Sequence, residues 1–193
     1  MLRSLYDWTM RLSGHRHALW ALAALTFAES SIFPIPPDVL LIPMVLAARD
    51  RAWLIAFVCT VASVLGGYAG YGIGFFLFDE IGRPILEFYG YMHQFDVFRD
   101  KYNEWGAWIV AGAGFTPFPY KVITIASGVT GLNLITFSIA SLLSRAARFF
   151  LVAALLWRFG PPIRAFVEKN LAMLATVFFA LLFGGFLLVK FVI

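Results

Sequence analysis

Two proline-rich breaks, Phe33-Pro34-Ile35-Pro36-Pro37-Asp38 and Phe115-Thr116-Pro117-Phe118-Pro119-Tyr120-Lys121, interrupt sequence that is otherwise apolar enough for a membrane, and each ends on a charge. Proline removes a backbone donor and clashes with the preceding turn, so peptide groups around a Pro-x-Pro at bilayer depth find no partner in lipid. Such backbone is stable only where it is buried in protein or lines a wet cavity. Secondary transporters place broken segments at corresponding positions in two halves, with the substrate between them near the midplane. The paired breaks mark a candidate transporter.

Composition fixes the broad class. Hydrophobic residues make up 61% of the chain and charged residues only 13%, and the mean hydropathy is +0.83, well outside the range of a soluble domain. The expected fold is an all-α polytopic membrane protein in one domain, a helical bundle with two opposed re-entrant hairpins and a pseudo-inverted repeat. The net charge of +4 comes without a Lys/Arg run. It therefore fits the positive-inside bias of membrane proteins, not a nucleic-acid partner. Cys59 is the only cysteine, which excludes an intrachain disulfide.

Along the chain, residues 1–16 read as an interfacial helix, with Leu2, Leu5, Tyr6, Trp8 and Leu12 toward lipid. A cleaved signal peptide is disfavoured, because Glu29 and the proline break follow the apolar run directly. Residues 17–78 form a first half. Its runs Ala18 to Ala28 and Val39 to Ala48 are each too short to cross a bilayer, which takes about 20 apolar residues. Pro43 interrupts the second run. Ala52 to Phe78 is long enough to span, and Gly66, Gly70 and Gly74 recur every four residues on one face, a helix-packing signal. Residues 79–105 are a polar, amphipathic connector, with Pro84 as a helix-start signal and Trp105 and Trp108 marking return to the interface. Residues 106–170 repeat the first layout: a short run, the second break, another short run and a span from Leu132 to Trp157. Residues 171–193 form a terminal transmembrane helix. The connector carries six acids and three bases while the ends are basic, which leaves orientation open.

Five ionisable residues stand at bilayer depth: Glu29, Asp38, Lys121, Arg145 and Arg148. Each costs several kcal/mol there unless it has a partner or a role. Arg145 and Arg148 are three apart and share a helix face. In one reading the three cations grip an anionic headgroup, for which the forked guanidinium suits phosphate, while the carboxylates bind protons or act as counter-ions. In the structural alternative the five charges neutralise one another as an ion-pair network.

Other chemistry finds no footing. No Cys or carboxylate stands at metal-ligand spacing from His15, His17 or His93 in the sequence, so neither metal nor cofactor is expected. Ser127-Gly128 lacks the first glycine of a nucleophile elbow, since Ile125 stands there, and no histidine is expected at that depth. The glycine stretch is no phosphate loop. An enzyme is accordingly the last choice.

The order Glu29 to Asp38, Gly66 to Gly74, Gly114 to Lys121, Ala126-Ser127-Gly128, Arg145 and Arg148 resembles the DedA family, also described as SNARE-associated or VTT-domain membrane proteins, and is most similar to its YqaA-like branch. The resemblance covers about residues 26 to 155. It implies opposed re-entrant hairpins with tips at Pro34, Pro36, Pro37, Pro117 and Pro119, and a multi-pass protein of the bacterial inner membrane. It also implies a flippase or scramblase for phospholipids or a polyprenyl phosphate, with proton coupling in some members. By position, Glu29 and Asp38 become the acidic pair and Lys121, Arg145 and Arg148 the basic set. Many relatives carry arginine where Thr116 and Lys121 stand, so the second tip here is less basic. The competing readings are a small-solute or ion transporter using the same cavity and a non-transporting scaffold for envelope maintenance.

Overall fold

A computed structural model of the chain describes residues 17–32, 36–116, 118–160 and 162. The expected interfacial helix at 1–16, the prolines at 34 and 117, and the terminal helix at 171–193 lie outside the described residues. Within them the chain is helical, with no strand. Two helices, 49–89 and 134–160, are long and apolar enough to cross a membrane.

Helix α1 spans Ala18–Ser31 and ends at Ile32, just before the first break. Helix α2 spans Asp38–Ala47. Pro37 occupies its N-cap, and Asp38 in its first turn is favoured by the positive end of the helix dipole. Pro43 does not interrupt it, contrary to the sequence expectation. In so short a helix proline deletes a single intrahelical bond, the one to the Val39 carbonyl, and the helix continues to Ala47.

Helix α3 spans Ala52–Leu77 and passes through a π-turn at Phe78–Gly82 into α4, Arg83–Tyr89, where Pro84 sits in the first turn as its sequence signal predicts. Gly90, at φ 71°, supplies the left-handed residue that ends α4. Helix α5 spans Met92–Phe115 as one element. The composition change near Trp105 therefore falls within a single helix.

Thr116 precedes Pro117 and adopts extended backbone (φ −80°, ψ 167°), the conformation a following proline enforces, and this ends α5. Helix α6 spans Tyr120–Val129. Gly131 turns the chain at φ 64°. Asn133 Oδ1 then accepts hydrogen bonds from the amides of Ile135 and Thr136, capping α7 at Leu134–Gly160.

The glycine face of α3 brings three helices together. A methyl group at Gly66 would lie 2.3 Å from the Phe27 carbonyl oxygen of α1, and one at Gly74 would lie 2.0 Å from the Ile125 carbonyl oxygen of α6. Gly128 answers from α6, where a Cβ would meet the Tyr71 carbonyl oxygen at 2.0 Å. Only residues without side chains let these backbones approach so closely.

Helix α7 shows which solvent the bundle is built for. It buries Ser141, Ser144 and Arg145 and exposes Ile135, Ile139, Leu142, Leu143 and Leu151. For water this polarity is reversed; for lipid it is the expected one. One apolar core joins α1, α2 and α3 to Phe149, Ala153 and Leu156 of α7, and a second joins α5 and α6 to Leu132, Phe137 and Ala140. Arg145 and Arg148 lie on α7 between the residues that anchor these two cores.

Candidate functional site

Four of the five depth charges meet in two ion pairs. Arg145 donates to Glu29 Oε2 at 3.2 Å, and Arg148 donates to Asp38 Oδ2 at 2.6 Å. Both arginines come from α7, while Glu29 ends α1 and Asp38 begins α2, so the pairs straddle the first proline break. Their i,i+3 spacing gives α7 the pitch to reach both carboxylates.

The first pair is enclosed. Arg145, only 1% exposed, is among the largest fully buried side chains. Its Nε donates to Ser63 Oγ of α3 at 2.5 Å. Ser63 Oγ shares a 2.7 Å hydrogen bond with Ser30 Oγ, which donates to Glu29 Oε2 at 3.2 Å. Arginine, serine, serine and glutamate thus form a closed ring. The Arg145 Cζ also lies 4.7 Å from the ring centroids of both Tyr120 and Phe149, a cation–π arrangement that desolvation strengthens. Tyr120 is itself fixed by donating its hydroxyl proton to Ser141 Oγ.

The second pair is more open, with Arg148 16% and Asp38 23% exposed at the side chain. Arg148 Nη1 donates to the Thr116 carbonyl oxygen at 2.8 Å. That carbonyl is one of the acceptors left without a helical partner where α5 stops. A single guanidinium therefore joins the residue that follows the first break to the residue that opens the second. Among the described residues, Asp38 Oδ1 is buried and has no hydrogen-bond partner.

Lys121 does not join the cluster. It is half-buried in the first turn of α6, and among the described residues it makes no ion pair. Its neighbour Tyr120 faces Arg145 instead. Of the expected tip residues, Pro37 is buried beside Asp38, and Pro36 and Pro119 are half-buried. Ser30, Ser63, Tyr120 and Phe149 were not singled out from sequence, since serines and aromatics are unremarkable in apolar helices. The available signals are that Ser30 follows Glu29 directly and that Ser63 lies three residues before Gly66, on the glycine face of α3.

An apolar cavity of about 430 Å³ opens elsewhere, between the π-turn, α5 and α6, lined by Leu77, Phe78, Ile81, Phe95, Ile125 and Val129. None of the five charges lines it. No group of His, Cys, Asp and Glu able to hold a metal occurs among the described residues.

The VTT domain pattern matches residues 35–158. A Haemophilus influenzae protein described as uncharacterized is 39% identical over 171 residues, covering 89% of this chain and 88% of the relative. A Histophilus somni protein described as an uncharacterized HI0703 homolog is 38% identical over 152 residues, or 79% of each chain. No solved structure matches. The matched span begins inside the first proline break and ends beyond both arginines, so Asp38, Arg145 and Arg148 fall within the domain and Glu29 lies six residues before it, and the chain belongs to the VTT-domain family of DedA-type membrane proteins.

Proposed function

We propose that the protein is a multi-pass inner-membrane lipid transporter, a flippase or scramblase that passes a phosphate-bearing headgroup between leaflets while the acyl tails stay in the bilayer. In this proposal α1 with α2, and α5 with α6, are two re-entrant hairpins of an inverted repeat, and the headgroup travels between their proline tips. The observation that carries it is the Arg148 guanidinium, which sits between the two breaks and holds a carboxylate that a phosphate could replace. Guanidinium suits that exchange, because its forked N–H groups donate to carboxylate and phosphate oxygens alike. A proton on Asp38 would weaken the competing pair, which gives proton coupling a chemical basis. Glu29, Arg145 and Lys121 complete the charge set along the path.

The pairing itself favours a second reading, a non-transporting scaffold, because four of the charges already neutralise one another. Reconstitution separates the two. Purified protein in liposomes is expected to accelerate leaflet exchange of labelled phospholipid or polyprenyl phosphate. Exchange no faster than in protein-free vesicles, after correction for leakage, would sink the transport proposal and leave the scaffold.

A further inference from the structure

We infer that the two ion pairs do different work: Glu29–Arg145 is a permanent pin through four helices, and Asp38–Arg148 is a latch that ties the start of α2 to the end of α5 and must open for the site to be used. The purpose of the latch rests on the transport proposal, but its opening is a property of the fold and can be measured with no lipid moving.

The asymmetry lies in what each arginine would lose by leaving. Arg145 would give up Ser63, Glu29 and the faces of Tyr120 and Phe149 together. These partners come from α1, α3, α6 and α7, and only Tyr120, already helical at the start of α6, belongs to a break. Ser30 and Ser63 are positioning residues in this scheme, since their shared hydrogen bond fixes both ends of the pair. Among the described residues, no buried polar atom of the ring is without a hydrogen-bond partner.

Arg148 would give up only Asp38 and the Thr116 carbonyl, one at each break. Thr116 is exposed, and both charged side chains have access to the surroundings. Among the described residues, Asp38 Oδ1 is a buried acceptor with no donor. A buried acceptor without a donor raises the free energy of the state that contains it. Opening would let water or a headgroup donor reach that oxygen. The same two bonds are also the side-chain hydrogen bonds that tie Asp38 to Thr116 across the breaks. Separating them frees the α2 start from the α5 end without disturbing the pin.

The test uses the full chain in liposomes, with Cys59→Ala as background and nitroxide labels at Val39→Cys and Phe115→Cys, exposed positions next to the two latch ends. Pulsed EPR then reads the distance between the breaks. Asp38→Asn is expected to lengthen or broaden that distance by about one helical turn, roughly 5 Å. Ser63→Ala is expected to lower the thermal midpoint and leave the distance as in the parent. Glu29→Gln should behave like Ser63→Ala; if it does not fold, Ser63→Ala decides. The inference is overturned if Asp38→Asn leaves the distance unchanged, or if Ser63→Ala opens the breaks as far. Lipid exchange measured on the same vesicles keeps the two ideas apart. A distance that responds to Asp38→Asn with no exchange in the parent supports the latch and refutes transport, and exchange in the parent with no distance response refutes the latch.

Discussion

Arg145 and Glu29 stand 116 residues apart in sequence and 3.2 Å apart in the fold, in a ring closed by Ser63 and Ser30. The ring can form only after α7 has docked against α1 and α3, so it reports complete assembly of the bundle. Removing one member of a buried pair strands the other charge, which costs about 3–5 kcal/mol, whereas removing both leaves a neutral site. Arg145→Gln and Glu29→Gln are each expected to destabilise the detergent-solubilised protein on that scale. The double variant should be more stable than the sum of the singles predicts, by about 1–3 kcal/mol. A double-mutant cycle on reversible unfolding measures this, and strict additivity would mean that the pair does not couple.

Tyr120 contributes to the pin in two separable ways, through its hydroxyl bond to Ser141 and its ring beside Arg145. Tyr120→Phe removes only the hydrogen bond and should cost about 1 kcal/mol. Tyr120→Leu also removes the aromatic face and should cost a further amount of about 2 kcal/mol, the scale of a desolvated cation–π contact. Equal losses in the two variants, measured by unfolding, would show that the ring face adds nothing.

The glycines of α3 supply an internal control. A methyl group at Gly74 meets the Ile125 carbonyl oxygen at 2.0 Å, whereas one at Gly72 finds nothing within 4 Å. Gly74→Ala must push α6 away and is expected to lower stability by about 1–3 kcal/mol, the usual scale of overpacking. Gly72→Ala should be neutral or slightly stabilising, since alanine has the better helix propensity by up to about 1 kcal/mol. Thermal midpoints of the two variants in one detergent decide it. Similar values would remove the close α3–α6 approach as the reason for this glycine.

Much of this site is written in the sequence one residue at a time. Glu29, Asp38, Arg145 and Arg148 stand out because ionisable groups are rare in apolar helices, and the Gly66, Gly70 and Gly74 spacing announces a helix contact. The pairing is not written there. Which arginine meets which carboxylate depends on how far α7 slides along α1 and α2, and packing of Phe149, Ala153 and Leu156 into the core sets that register. Ser30 and Ser63 escape notice for the same reason, since a serine in an apolar helix can bond its own backbone, as Ser31 does. At the second break the sequence draws attention to the charge of Lys121, whereas the residue that meets Arg145 is its neighbour Tyr120. The continuity of α5 from Met92 to Phe115 is not legible either, since the change from polar to apolar composition near Trp105 gives no sign that one helix crosses it.

Arg148 makes the most discriminating substitution, because two of its nitrogens act at once. Nη2 binds Asp38 and Nη1 binds the Thr116 carbonyl, a division of labour that needs a planar fork. Lysine keeps the charge on a single nitrogen. Arg148→Lys can neutralise Asp38, so the protein should still fold, with a loss of about 1 kcal/mol for the bond to Thr116. Its grip on a phosphate, however, would lack bidentate geometry. Under the transport proposal leaflet exchange should fall at least about tenfold, equivalent to roughly 1.4 kcal/mol of lost interaction with the passing headgroup. Exchange in liposomes and unfolding in detergent, measured on the same preparation, separate the two effects. Retained stability with lost exchange assigns the fork to the headgroup, whereas retained stability with parental exchange reduces Arg148 to a neutralising charge.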